Sequence, residues 1–351
     1  MGGGWLWSAT PCTALARRAL ISAMHFLPRL LLALLFLVAP LRAAEADFLP
    51  GVKRIVFLGD SITYSGQYVD AFETFLFLRF PDRRFEIINV GLPSETVSGL
   101  SEDGHAGGQF PRPDLHERLD RVLAKTKPDL IFACYGMNDG IYLPFDEGRF
   151  AKFRDGMERL RAKAKAAGAE VIHLTPPTFH PLAARNKPGA DGQPPPKTLG
   201  GYNEVLDRYA AWLLEQRAKG WRVIDLHGQM NAFIETQRKT NPDFVFANDG
   251  VHANDAGHAL MAEQLIAGLA PAELDWWRKT QDVEYFHTTK AKAFTGAIRQ
   301  RGRILTDAWL NDTGHLRPGM AKGLPLDEAQ AKAAELEKQI RDEARLLAPR
   351  P

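Results

Sequence analysis

Cysteine is nearly missing from this chain of 351 residues, which holds only Cys12 and Cys134. Cys12 falls in a segment that reads as a removable leader, so Cys134 would stand alone in the mature protein. That excludes an internal disulfide, and a lone thiol inside an apolar strand pattern reads as buried and inert. No His-x-x-x-His pair and no cysteine cluster occurs, so no metal site is expected and no cofactor is implied. An excess of one charge is lacking too. The 44 basic and 42 acidic side chains leave a formal charge of +2, with no long basic run or basic and aromatic face, so nucleic acid is not an expected partner. No internal repeat is visible.

What is present is an ordinary globular composition, 45% hydrophobic and 25% charged, enough to bury a large core. The first residues are set apart. The apolar run Leu30–Ala39 is too short to span a bilayer; Arg29 precedes it, and Ala43-Ala44-Glu45-Ala46 follows with the small residues that suit a signal peptidase. Residues 1–46 are therefore expected to be a secretory signal peptide, with Met24 as an alternative start and an uncleaved anchor as the structural alternative. Export to the periplasm or the extracellular space follows, with no stable membrane span after processing. A main domain is expected over 47–270 and a helical extension over 271–351. The sequence sets no oligomeric state.

Arg54-Ile55-Val56-Phe57-Leu58 reads as a strand buried on both faces, broken by Gly59 before a helical pattern. Val69, Phe72, Phe75, Leu76 and Phe80 give a helix over 68–80, stopped by Pro81. Strands are expected at 85–90, 129–135, 170–174 and 221–226, and amphipathic helices at 115–126, 147–167 and 202–219. Strands alternating with helices imply parallel βαβ units, hence one five-stranded parallel sheet in a three-layer α/β/α domain. Two loops break the rhythm. Ser101–Pro113 is rich in Gly, and Pro176–Gly201 is rich in Pro and Gly and carries Phe179, His180, Arg185 and Lys187; each is either a wall of a site or a solvated insert. Near the end, Leu336, Ile340 and Leu347 with Ala329, Ala333 and Ala344 form one helical stripe.

A parallel sheet gathers the carboxyl ends of its strands on one rim, where open α/β sheets bind ligands. Ser61 follows the first strand, Gly91 the second, and Asn138 in Gly136-Met137-Asn138-Asp139 the third. Asp60 and Ser61 have two readings, as caps of the next helix or with Ser61 as a nucleophile. Further on, Asp249 precedes His252 by the spacing that lets a turn hold the carboxylate against Nδ1–H and leave Nε2 as a general base. His258, on the helix behind, reads as a capping or surface residue. His105 and His116 lack a carboxylate at useful spacing, and His173 and His227 read as packed or hydrogen-bonded side chains.

Gly59-Asp60-Ser61, Gly91, Gly136-Met137-Asn138-Asp139 and Asp249-Gly250-Val251-His252 resemble the four ordered blocks of the SGNH hydrolases, also called GDSL esterases and lipases, over roughly Lys53–Leu269. The resemblance implies a flavodoxin-like α/β/α fold with Ser61 as nucleophile, His252 as base and Asp249 as its orienter. It also implies the N–H groups of Ser61 and Gly91 with the Asn138 side chain as oxyanion hole. The absence of Gly-x-Ser-x-Gly sets aside the other large serine-esterase fold. Two departures stand out. Ala253 follows the histidine where many relatives have proline, and Gly91-Leu92-Pro93-Ser94-Glu95-Thr96 lacks the commoner glycine-rich continuation.

With an exported chain, the resemblance implies a serine esterase that deacetylates a polysaccharide. Tyr64 and Tyr142, with Tyr68 and Phe145, are the candidate sugar-stacking residues, or else core. A lipid or lysophospholipid esterase, a sugar O-acetyltransferase using the same triad and a catalytically silent carbohydrate-binding protein are the alternatives. The intact Ser61, Asn138, Asp249 and His252 argue against the last.

Overall fold

The computed structural model describes residues 1, 48–180, 201–282 and 288–347. The expected leader, along with Arg185 and Lys187, lies outside the described residues. The chain divides into two units, residues 1–50 and a compact unit of residues 51–351.

Among the described residues, five strands build the second unit: β1 (Arg54–Gly59), β2 (Glu86–Asn89), β3 (Leu130–Cys134), β4 (Glu170–Leu174) and β5 (Arg222–Ile224). All pair in parallel in the order β2-β1-β3-β4-β5. Ile55, Val56, Phe57 and Leu58 are fully buried, as an unbroken apolar run in a doubly covered parallel sheet must be. The strand order reverses direction between β1 and β3, and that switch point opens a crevice at the carboxyl rim.

The helices are α1 (Ser61–Ser65), α2 (Gln67–Arg79), α3 (Leu115–Thr126), α4 (Glu147–Ala166), α5 (Tyr202–Glu215), α6 (Leu226–Arg238), α7 (Asp255–Leu269), α8 (Pro271–Asp282), α9 (Thr289–Thr313) and α10 (Leu326–Leu347). On one face α2 packs against α7, and its Tyr68 and Phe72 meet Phe57 of β1 at 5.8 and 6.1 Å between ring centroids. Phe153 of α4 stacks on Tyr209 of α5 at 4.3 Å.

The helix expected over 68–80 is α2, and Gly66 at φ +85° separates it from the short α1 that begins at Ser61. The periodicity marks no separate helix at α6, α8 or α9. Asp225 turns the end of β5 into α6 by accepting the Gly228 N–H, and α9 runs through sequence too polar to show a clear stripe.

The C-terminal helices are part of the compact unit. Arg301 of α9 meets Glu73 of α2 at 2.7 Å, with both side chains at most 5% exposed, and reaches Glu337 of α10 at 2.9 Å. Phe294, Ile298, Leu305 and Trp309 of α9 are buried. The apolar stripe supplies the driving force. The buried charges are held chiefly because removing one partner would leave the other unpaired.

Candidate active site

Gly59 closes β1 at a point no side chain fits: a Cβ there would lie 2.1 Å from Thr63 Oγ1 and 2.8 Å from the Cys134 carbonyl oxygen. Asp60 then leaves the strand in extended conformation, and its carboxylate accepts the Ile62 N–H at 2.9 Å, capping α1. Burial pushes that carboxyl up to about 7 against the lowering effect of this hydrogen bond. The capping reading thus belongs to Asp60, and the Ser61 hydroxyl is left for another partner.

That partner is His252. Its Nε2 lies 2.8 Å from Ser61 Oγ, and its Nδ1 lies 2.7 Å from Asp249 Oδ2. An ionised carboxylate only accepts, so Nδ1 carries the proton and Nε2 offers its lone pair to the serine O–H. Gly250 at φ +87° makes the turn in which Asp249 Oδ1 also accepts the N–H groups of Val251 and His252 at 2.9 and 2.8 Å. Burial acts to raise the Asp249 carboxyl, but the hydrogen bonds from the His252 ring and from these two N–H groups outweigh it and hold the group well below the usual carboxylate range. Rigidity that a proline would supply after His252 has another source: the His180 N–H donates to the Gly250 carbonyl at 2.9 Å, and its Nε2 accepts the Phe246 N–H at 3.2 Å. His180 therefore braces the loop rather than offering its ring to a substrate.

At the end of β2 the expected oxyanion donor needs correction. The Gly91 N–H donates to Asn89 Oδ1 at 2.9 Å and is not free for a substrate oxygen. Gly91 is glycine for another reason, since a Cβ would meet the Tyr64 backbone nitrogen at 2.5 Å. The chain continues into a turn closed by Glu95 N–H to the Leu92 carbonyl, while Leu92 N–H bonds the Gly59 carbonyl beside Ser61. Ser94 occupies the turn's third position at φ +70°, a conformation that favours glycine, and its N–H has no acceptor among the described residues. The only trace of this in the sequence is Pro93, which suits the position before such a residue.

Asn138, after β3, is 4% exposed. Its Nδ2 donates to the Glu95 carbonyl at 3.1 Å, and its Oδ1 accepts from the Tyr142 hydroxyl at 3.1 Å. One amide hydrogen remains. Asp139 buttresses this turn by accepting the N–H groups of Ser98 and Gly136. His252, Asp139 and Arg112 all act on the Asp60 carboxyl through their charges, so the three loops converge on the start of α1.

The two candidate sugar-stacking tyrosines are occupied otherwise. Tyr64 turns to α9: Arg303 lies over its ring at 4.3 Å and donates to its hydroxyl, which donates to Asp307 Oδ1 at 3.2 Å. Tyr142 stacks on Tyr202 at 4.9 Å while its hydroxyl holds Asn138. Tyr68 is core, fully buried. His258 is not a surface or capping residue either; it is 2% exposed, with Nε2 3.3 Å from Ser65 Oγ. His105 does find a carboxylate, Glu102 at 3.2 Å, but Arg112 holds the same Glu102 through two bonds of 2.6 Å. Cys134 is buried and unpaired, and among the described residues no group of three or more His, Cys, Asp or Glu side chains could hold a metal.

A serine, a histidine and an aspartate in one hydrogen-bonded row at the rim of a doubly wound sheet make the site of a serine hydrolase. The sequence matches the GDSL-like Lipase/Acylhydrolase family over residues 57–260, more than half of the chain. The protein belongs to that family of ester-hydrolysing serine hydrolases. No curated protein matches it. Among solved structures it resembles a gut microbial diltiazem-metabolizing enzyme with 20% identity and a TM-score of 0.50, over 63% of this chain and 48% of that one; the chain thus spans about half the length of that relative. It is also similar to an acetylxylan esterase from Geobacillus stearothermophilus, with 19% identity and a TM-score of 0.46, over 62% of this chain and 94% of that one. A further similar structure is the acetyl xylan esterase AlAXEase, with 18% identity and a TM-score of 0.43, over 62% and 99%.

Proposed function

We propose that the protein is an exported esterase that removes acetyl groups from polysaccharides through a Ser61 acyl-enzyme. The observation that carries the ester chemistry is the row Asp249–His252–Ser61, with contacts of 2.7 and 2.8 Å. Ser61 Oγ attacks the ester carbonyl as His252 Nε2 takes its proton, and the imidazolium formed is stabilised by Asp249. The tetrahedral oxyanion accepts from the Ser61 N–H and the remaining Asn138 Nδ2 hydrogen, with the Ser94 N–H in the part first expected of Gly91. The His252 proton passes to the leaving alcohol. Water, deprotonated by the same Nε2, then attacks the acyl-enzyme and releases acetate and free Ser61.

The substrate class rests on exposure. The His252 side chain is 50% exposed and that of Asp249 32%, so the face where the alcohol leaves is open to a bulky sugar chain, whereas a long acyl group would need a buried apolar channel. Export rests on the leader-like residues 1–46. Acetate release from a panel of acetylated glycans, run beside esters of increasing acyl length, tests the substrate; faster turnover of long-chain lipid esters would overturn the polysaccharide reading. N-terminal sequencing of the protein recovered from the periplasm or medium tests export, which fails if the chain is retained uncleaved in the cell.

A further inference from the structure

We infer that Tyr142 is a positioning residue for the oxyanion hole: by donating to Oδ1, its hydroxyl holds the Asn138 amide in the sense that the Glu95 carbonyl sets, and so keeps an N–H facing the reacting ester. The inference rests on the reading of Asn138 as an oxyanion donor.

A carboxamide can be turned over with little change in shape, exchanging donor for acceptor. Two neighbours decide its sense here. The Glu95 carbonyl oxygen can only accept, so it requires Nδ2 on its side, 3.1 Å away. The Tyr142 hydroxyl, 3.1 Å from Oδ1, donates to the opposite end. With both present, one Nδ2 hydrogen is spent on Glu95 and the other is presented. Donation into Oδ1 also polarises the amide and strengthens its free N–H as a donor.

Both neighbours are themselves fixed. Glu95 is fully buried, gripped by Arg118 through bonds of 2.6 and 2.8 Å and by the Tyr135 hydroxyl at 2.6 Å. Tyr142 is held between the Tyr202 ring, 4.9 Å away, and the Arg112 guanidinium, 5.3 Å from its centroid. Arg112 is in turn locked by its two-bond pair with Glu102. The backbone is strained to bring the phenol there, since Ile141 and Tyr142 sit at φ +47° and +54°, where residues with side chains are disfavoured. Through Arg112, the loop 101–113 thereby reaches the phenol that holds Asn138.

Tyr142→Phe removes only the hydroxyl and keeps the stack, so a substrate-stacking role would leave kinetics unchanged. Positioning predicts that kcat falls about tenfold, the scale of one lost hydrogen bond in the transition state, with KM unchanged. Asn138→Ala should lower kcat by about 10²–10³, and the double variant should match Asn138→Ala, because the hydroxyl acts only through that amide. If Asn138→Ala is slow but Tyr142→Phe is not, or if the two losses multiply, positioning is wrong and the oxyanion reading survives. If Asn138→Ala keeps full kcat, the reading of Asn138 falls, and the role of Tyr142 with it.

Discussion

Two histidines a few residues apart each approach a serine of the same short helix, yet only one pair is equipped for catalysis. His252 stands on an irregular loop, half exposed, with Nε2 2.8 Å from Ser61 Oγ and Asp249 behind its other nitrogen. His258 lies on α7, buried, with Nε2 3.3 Å from Ser65 Oγ and its ring parallel to Tyr68 at 6.0 Å. Ser65 already donates its hydroxyl hydrogen to the Ile62 carbonyl at 2.8 Å, so its oxygen can only accept, and the His258 proton must sit on Nε2. Its Nδ1 is bare, without a partner among the described residues. The two rings therefore hold opposite tautomers. His258 has no lone pair facing its serine and cannot take a proton from it. A carboxylate on the far nitrogen is what turns a serine–histidine contact into a base; without one the same contact is a strut.

The largest effect should come from breaking the first pair. Ser61→Ala and His252→Ala should each lower kcat by about 10⁴–10⁶, and the double variant should cost little more, because the members act as one unit. Full activity in folded Ser61→Ala protein would end the mechanism. Next, Asp249→Asn keeps the shape of the loop but presents a donor where Nδ1–H needs an acceptor, pushing His252 towards the tautomer of His258. Turnover should fall by about 10⁴. A drop of less than tenfold would mean that the carboxylate is dispensable and that the two histidines differ in exposure alone. Asn138→Ala, at about 10²–10³ in kcat with little change in KM, ranks third; a loss confined to KM would make Asn138 a ground-state binder.

What was legible in the sequence follows the range of the interactions involved. Unbroken apolar runs such as Ile55–Leu58 and the glycines after them announce a buried parallel sheet, and the spacing of Asp249 and His252 announces a turn; both are local. Gly91 shows where local reading fails. It looked like an exposed donor at a strand end, but its N–H is consumed by Asn89, and its lack of a side chain serves the close passage of α1. Ser94 was missed because serine carries no mark of a positive φ. Tyr64 and Tyr142 read as rim residues, but their partners, Arg303 and Asp307 on α9 and Arg112 on the 101–113 loop, come from distant sequence that no periodicity ties to them. The helix α9 itself was hidden for a related reason. Its buried face includes Arg301, which the sequence presents as solvated and the fold pairs with Glu73.

The smallest effect concerns the second pair, and pH gives it a distinctive sign. Burial lowers the His258 imidazole to about 4 from its ordinary 6.5, so the native state resists a proton that the unfolded chain accepts. Above about pH 6.5 neither state is charged and the ring costs nothing. As the pH falls from 6.5 towards 4 the unfolded state gains, and stability drops by about 1.4 kcal/mol per pH unit until the native ring also protonates. Gln in place of His258 keeps an N–H for Ser65 but cannot titrate. His258→Gln should therefore retain most esterase activity and, relative to wild type, should gain about 2 kcal/mol between pH 7.5 and pH 5 in urea unfolding. Other shifted groups, among them the buried Asp60 and the lowered His173 and His180, remain in both proteins and cancel in the difference. Parallel stability curves would show that His258 titrates freely and is no strut. A loss of turnover approaching that of His252→Ala, in folded His258→Gln protein, would erase the distinction between the two histidines.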